Sequence, residues 1–222
     1  MGDVLEQAMR TAFPRGKPIR FLQIGGNDGV IKDPLYDFHV NGAFDFEWGH
    51  IFEPIPEYFE KLSANMRPFP YISCHEFAVD AGNSPGTREF SYVSGEDVSR
   101  HGLPASAVGV ASLSLHAGAP AAYPASKYER LKQYIRTIQV KTVPVSELIT
   151  QYATANMLIT DCEGYDTTLI EAAFREGSFR PELVQFEDHG QNKELLKMVL
   201  DRLHHLGYRT ERSHKDYVCQ LN

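Results

Sequence analysis

A short apolar run that breaks into a glycine turn, followed by a second apolar run that ends in an acid, constrains this chain more than any other feature. Residues 19–29 read I-R-F-L-Q-I-G-G-N-D-G, and residues 51–56 read I-F-E-P-I-P. The first run stops at Gly25-Gly26, and its length and composition are those of a buried parallel strand entering a tight loop. The second ends in Glu53, which places a carboxylate at the carboxyl end of a neighbouring strand. There it can accept hydrogen bonds from both hydroxyls of a ribose, while the glycine loop offers backbone N–H groups to the rest of the ligand. Together they read as a nucleoside pocket.

The glycine spacing narrows the ligand. A dinucleotide fingerprint, G-x-G-x-x-G counted from Gly25, needs glycine where Asn27 and Val30 stand, so NAD is disfavoured. The loop Gly25-Gly26-Asn27-Asp28-Gly29 also has no Lys or Arg to hold a pyrophosphate. A ligand carrying an ammonium and a carboxylate suits it better, and S-adenosylmethionine is the common one. Asp28-Gly29 is also a hairpin signal, but Lys32-Asp33-Pro34 follows too soon for a second strand.

The 222 residues, 42% of them hydrophobic, suffice for one sizeable core, and no composition break asks for a second domain within 1–222. A formal charge of −7 without a basic patch argues against nucleic-acid and acidic-membrane partners. Residues 1–13 have an amphipathic helical pattern rather than a signal peptide, and no stretch approaches the roughly 20 apolar residues of a membrane span, so a cytoplasmic protein is expected. Cys74, Cys162 and Cys219 are too scattered for a disulfide framework or a zinc cluster and read as small core or strand residues.

Strand and helix patterns alternate. Strands are expected at 19–24, 48–53, 71–79, 156–161 and 182–187, with helices at 34–40, 57–65, 144–152, 165–174 and 193–206. The end of the chain, 208–212 and 217–221, reads as a hairpin that adds antiparallel strands to the sheet edge. The expected fold class is α/β, with a mostly parallel seven-stranded sheet, helices on both faces and a C-terminal antiparallel hairpin, which fits the seven-stranded methyltransferase architecture. Two more strand patterns, 87–93 and 135–143, enclose an insertion at about 94–134 that has no clear period. Such a segment reads as a lid, with His101, His116, Tyr123 and Tyr128 as substrate contacts, or as a disordered excursion.

The order F-L-Q-I-G-G-N-D-G, F-E-P-I-P-E-Y-F-E-K-L, A-V-D, L-I-T-D-C-E-G-Y-D, P-E-L-V-Q-F-E and a late L-G-Y resembles the FkbM-type methyltransferases over about residues 19–217. Family members often carry Asp where Gln23 stands and Ala where Gly26 stands. The resemblance implies a Rossmann-like class I methyltransferase fold and an S-adenosylmethionine-dependent enzyme that most often methylates a hydroxyl of a sugar, polyketide or other natural product. It also implies roles: Gln23, Gly25, Gly26, Asn27, Asp28 and Gly29 around the methionine part, Glu53 on the ribose, Pro54 and Ile55 at an adenine face. Ala78 and Val79 would wall the adenine, and Ser112 with Leu113 would reach in from the insertion. Ordinary loop or core packing competes with each outer contact.

Methyl transfer is an in-line displacement, so alignment supplies much of the rate and a base need only take the acceptor proton. Asp161, Glu163 and Asp166 follow one strand, and Glu187, Asp188 and His189 follow the next, facing one crevice in a parallel sheet. Asp161, Glu163 and His189 are the candidate acid–base groups, with Asp161 also near the cofactor. His116, Tyr165 and Glu187 are candidate acceptor contacts. Glu163 reads equally as a first-turn acid of the following helix. Asp161 with Glu187 and Asp188, 26 and 27 residues on, is a candidate Mg2+ site similar to that of catechol-type O-methyltransferases, or else Asp161 is a metal-free base. The acceptor and the oligomeric state stay open. A nucleotide-dependent oxidoreductase is opposed by the missing glycine, and a non-catalytic S-adenosylmethionine-binding protein by the acids at two strand ends.

Overall fold

Alternation along the first strand divides the molecule into two layers of helix around one sheet. In the computed structural model, which describes residues 2–104, 107, 130–175, 177–188 and 192–222, that strand is Ile19–Ile24. Its Ile19 and Phe21 pack on one face, and its Leu22 and Ile24 on the other.

The chain runs α1 (Gly2–Ala12), β1 (Ile19–Ile24), α2 (Tyr36–Asn41), β2 (Phe46–Phe52), α3 (Pro56–Met66), β3 (Ile72–His75), β4 (Ala78–Asp80) and β5 (Gly86–Val93). It continues through α4 (Gly95–His101), β6 (Ile135–Pro144), α5 (Val145–Gln151), β7 (Met157–Thr160), α6 (Asp166–Ala173), β8 (Leu183–Glu187), α7 (Lys193–His205), β9 (Tyr208–Ser213) and β10 (Asp216–Leu221). Seven strands make the main sheet in the order β3-β2-β1-β7-β8-β10-β9. All of its pairs are parallel except those of β10 with β8 and β9, the terminal hairpin. Leu5 and Met9 of α1 and Leu62 of α3 cover the Phe21 face; Leu148, Leu169 and Leu203 of α5, α6 and α7 cover the Leu22 face. Central strands buried on both faces need near-continuous apolar sequence, which the buried run Met157–Thr160 supplies. No helix among the described residues is long and apolar enough to cross a membrane.

The expected single strand over 71–79 is two. β3 ends at His75 in the main sheet, and β4 begins at Ala78 in a second sheet of order β4-β6-β5. Between them Phe77 turns its ring toward Phe52 and His75, with centroids 5.3 and 5.7 Å away, and this packing accompanies the change of direction. β4 pairs parallel with β6, and β5 pairs antiparallel with β6 from Gly86↔Thr142 to Val93↔Ile135. The small sheet leans on α3: Phe90, Tyr92 and Val140 pack with Ile55 and Tyr58, and the Tyr58 hydroxyl donates to the Val93 carbonyl at 2.5 Å.

The start of the insertion also differs from the aperiodic reading. Ser94 caps α4 by accepting from the Asp97 amide at 3.1 Å, and Gly102 ends it in the left-handed conformation. Val93, Ala107 and Leu131 pack together at the base of the insertion, and His101 lies exposed with its ring 4.7 Å from Tyr134. The expectations for Ser112, Leu113, His116, Tyr123 and Tyr128 fall outside the described residues.

Candidate functional site

The carboxyl ends of β1, β2 and β7 meet at a cleft with about 660 Å³ of atom-free space, its open mouth included. The cleft begins with Gly25. Its φ of +87° belongs to the glycine-favoured region, and a Cβ there would stand 2.0 Å from the Asp161 carbonyl oxygen. β1 and β7 therefore touch backbone to backbone just where both strands end. The Gly25 and Gly26 amides donate to the Phe52 carbonyl at 3.0 and 3.1 Å, which fastens the loop to β2.

β2 delivers Glu53, which is only 5% exposed. Its Oε2 accepts from the Asn27 amide at 2.8 Å and its Oε1 from the Ile55 amide at 2.9 Å. Asn27 makes its bond from φ +45°, a left-handed conformation that Asn tolerates better than most side chains. Burial pushes the Glu53 carboxyl up to about 8, against the pull of the two amides. A carboxylate offers about four acceptor positions, so two remain beyond the backbone bonds.

The opposite wall comes from β7 and the turn after it. Asp161, Cys162, Glu163 and Tyr165 line it. Asp161 opens to the cleft on one side, while protein encloses it on the others. That enclosure raises its pKa, the nearby Asp166, Glu163 and Glu187 raise it further, and its side chain is hydrogen-bonded to Glu187. Glu163 sits at φ +48°, followed by Gly164 at +99°. It precedes the helix, whose first-turn acid is instead Asp166. The fully buried Asp166 accepts from the Cys162 amide at 3.1 Å and holds this turn together; burial raises its pKa to about 6.

Phe77, Ala78, Val79 and Phe90 form an apolar side, with Pro54 and Tyr58 beside them. Tyr165 reaches the same side, but its hydroxyl is committed: it donates to Asp80 Oδ1 at 2.6 Å and accepts from the Ala81 amide at 3.3 Å. Arg88 completes the chain with a 2.6 Å bond to Asp80.

Several expected cofactor contacts do not line the cleft. Gln23 points to the other sheet face, as alternation from Ile24 requires, and donates to Asp33 at 2.6 Å. Gly26 and Gly29 are consumed by packing: a Cβ on Gly26 would lie 2.4 Å from Ile51 and 3.0 Å from Leu62, and one on Gly29 2.5 Å from Met66. Asp28 caps its own turn by accepting from the Val30 and Ile31 amides. The side chain of Ile55 is core. Gly25, Asn27, Glu53, Pro54, Ala78, Val79 and Asp161 do line it. Glu187 stands behind Asp161, with Lys215 at 3.6 Å, and the Asp188 amide donates to the Lys215 carbonyl. His189 lies outside the described residues. Among the described residues, no group of three or more His, Cys, Asp or Glu side chains is arranged to hold a metal ion. Tyr58, Phe90 and Cys162 were missed as lining residues; only the neighbourhood of Cys162 within D-C-E-G-Y-D could have marked it.

The methyltransferase FkbM domain matches residues 23–210, most of the chain. The chain belongs to the FkbM methyltransferase family. Among solved structures, the FkbM methyltransferase from Methylobacillus flagellatus KT superposes with a TM-score of 0.54 at 12% identity, covering 91% of this chain and 43% of that one. This FkbM chain thus spans less than half of that relative, and the likeness is one of fold. Sp1610 from Streptococcus pneumoniae, solved with S-adenosyl-L-methionine, gives a TM-score of 0.43 at 10% identity, covering 99% and 71%. The CMeT domain of citrinin polyketide synthase gives 0.45 at 10%, covering 98% and 50%. No curated protein sequence matches.

Two outcomes follow from this geometry. Gly25→Ala forces both a strained φ and a backbone clash with Asp161, so it should lower stability by at least about 3 kcal/mol in denaturant unfolding. Raised carboxyls give the second. The folded chain keeps protons on Asp33, Asp166 and Glu53 that the unfolded chain has already released. Their contribution to stability is fully present below the ordinary carboxylate pKa and is lost as pH rises through about 6 and then about 8. The thermal midpoint of the ligand-free protein should be higher near about pH 5 than near about pH 8.5, and Glu53→Gln should flatten the upper part of that slope.

Proposed function

We propose that this chain is an S-adenosylmethionine-dependent O-methyltransferase acting on a hydroxyl of a sugar, glycan or small natural-product metabolite. The observation that carries the reading is Glu53: an almost fully buried carboxylate, held by two backbone amides, that still has acceptor positions at the open cleft. A ribose edge, with two adjacent hydroxyl donors, meets that need. The apolar side at Phe77, Ala78 and Val79 suits an adenine ring, and Gly25 with Asn27 leaves room for the methionine portion. When bound, the cofactor supplies an electrophilic methyl group on a sulfonium.

The chain's own residues supply alignment and the base. Asp161, with Glu187 behind it, takes the proton of the acceptor hydroxyl. Burial, and after it crowding by other carboxylates, raises its pKa, and a carboxylate that holds its proton more tightly is a better base near neutral pH. Glu163, on the same wall, accepts a second acceptor hydroxyl. The acid-lined cleft favours an uncharged acceptor over nucleic acid or a sugar phosphate. Asp161 is taken here as a metal-free base whose side chain is hydrogen-bonded to Glu187, and the chelator arm of the test below separates this from a shared divalent ion.

Calorimetric titration with S-adenosylhomocysteine tests the cofactor site. Glu53→Gln should lose about 1.5–3 kcal/mol of binding, the worth of hydrogen bonds to a charged group; unchanged affinity would remove Glu53 from the site. Methyl transfer from labelled cofactor to a panel of hydroxylated acceptors tests the chemistry. Asp161→Asn should abolish it, excess chelator should leave it intact, and the acid limb of the wild-type pH profile should lie above the ordinary carboxylate range. Inhibition by chelator would assign the Asp161–Glu187 pair to a metal instead.

A further inference from the structure

Two tyrosines that line the cleft fasten the small sheet to the rest of the molecule. Tyr58 of α3 donates its hydroxyl hydrogen bond to the Val93 carbonyl. Tyr165, beyond β7, holds the other end: its hydroxyl donates to Asp80 Oδ1 and accepts from the Ala81 amide. Val93 pairs with Ile135 at the start of β6 and Asp80 with Pro144 at its finish, so the two attachments sit at opposite ends of the ladder.

The Tyr165 attachment is built around a buried acid. Arg88 reaches Asp80 Oδ2 at 2.6 Å from β5, across the intervening β6, and so occupies the oxygen that Tyr165 leaves. Register puts Ala78 and Asp80 of β4 on the same face as Arg88 and Phe90 of β5. Ala78 and Phe90 line the cleft from that face, while Asp80 and Arg88 stand outside the lining. Burial, and after it the bond to Asp80, raises the Tyr165 pKa to about 12, so the phenol keeps the proton that this bond uses.

Tyr165 stands where the two walls of the cleft join. Its backbone belongs to the turn after β7, and its hydroxyl holds the end of β4, next in the chain to Ala78 and Val79. An aromatic ring bonded at its tip is a spacer of fixed length: β4 can neither approach nor withdraw without stretching both bonds. We propose that Tyr165, held by Asp80 and Arg88, fixes the width of the base slot and makes the cleft selective for an adenine without substituents. This rests on the cofactor reading above and deepens it. Asp80 and Arg88 are positioning residues, acting on the ligand through the Tyr165 hydroxyl.

Calorimetry on the purified chain decides this with S-adenosylhomocysteine, its N6-benzyl derivative and 5′-methylthioadenosine, which keeps the base and ribose and lacks the amino-acid portion. The wild type should bind the N6-benzyl derivative at least about thirtyfold more weakly than S-adenosylhomocysteine, the scale of a steric misfit in a packed site. Tyr165→Phe keeps the ring and removes both bonds, and Arg88→Met releases Asp80 from a position outside the lining. Each should cut that ratio to about fivefold or less, while the ratio of S-adenosylhomocysteine to 5′-methylthioadenosine stays within about twofold of the wild type. A purely structural role would instead lower the thermal midpoint and leave both ratios where they were. Should one variant fail to fold, the other and the wild-type ratio still decide. Equal binding of the N6-benzyl derivative by the wild type, or an unchanged ratio in a folded variant, overturns the spacer and leaves the cofactor site standing. Failure of all three ligands to bind overturns both.

Discussion

The backbone contact between Gly25 and Asp161 sets the geometry of everything around the cleft. No side chain separates the ends of β1 and β7 there, so the two strand ends come as close as peptide groups allow. The same turn gives its amides to Phe52, which draws in the end of β2 and with it Glu53. Glu53 then braces the turn by accepting from Asn27 and, on its other side, fixes the start of α3 through Ile55. One small residue thus permits a sequence of contacts that ends in a buried acid facing open space.

That acid is costly to keep. Glu53, Asp33, Asp166 and Asp161 all hold their protons more tightly than free carboxyls do, and in each the first cause is burial. Their roles differ nonetheless. Asp33 and Asp166 organise loops by accepting backbone amides, whereas Glu53 and Asp161 also face the cleft. Two of the left-handed residues that are not glycine, Asn27 and Glu163, stand on opposite walls of the cleft, while Lys32 and His214 lie outside its lining.

The sequence was most legible where its signals were local. The strand before Gly25, the acid closing β2 and the alternation of strand with helix each follow from short-range pattern, and the main sheet assembles as that pattern requires. Legibility ended where pairing was distant. Residues 71–79 read as one strand because nothing local marks the switch at Phe77; the switch depends on β6, more than fifty residues later, offering Thr142 to Ala78. The glycines were legible as glycines but not by what they pack against: Gly26 and Gly29 make room for Ile51, Leu62 and Met66 of the packed layer. Tyr58 and Phe90 reach the cleft only because the small sheet leans on α3, a contact that no periodicity announces. The start of α4 could have been read, since Ser94 with Asp97 three residues on, and Gly102 after the helix, are ordinary cap residues.

The ladder between β5 and β6 has a consequence for how such a protein can diversify. Val93 pairs with Ile135, so the chain leaves the small sheet and returns to it at one point, with Val93, Ala107 and Leu131 packed at that junction. The ends of the intervening segment are therefore already joined, whatever lies between. Closing a longer loop across fixed ends costs little, about 0.6 kcal/mol for each doubling of its length. Glu53 and Asp161 belong to the other sheet's strand ends, so the junction that closes this segment is built apart from them. The segment is thus anchored on the sheet that walls the apolar side of the cleft, at one point of entry and return.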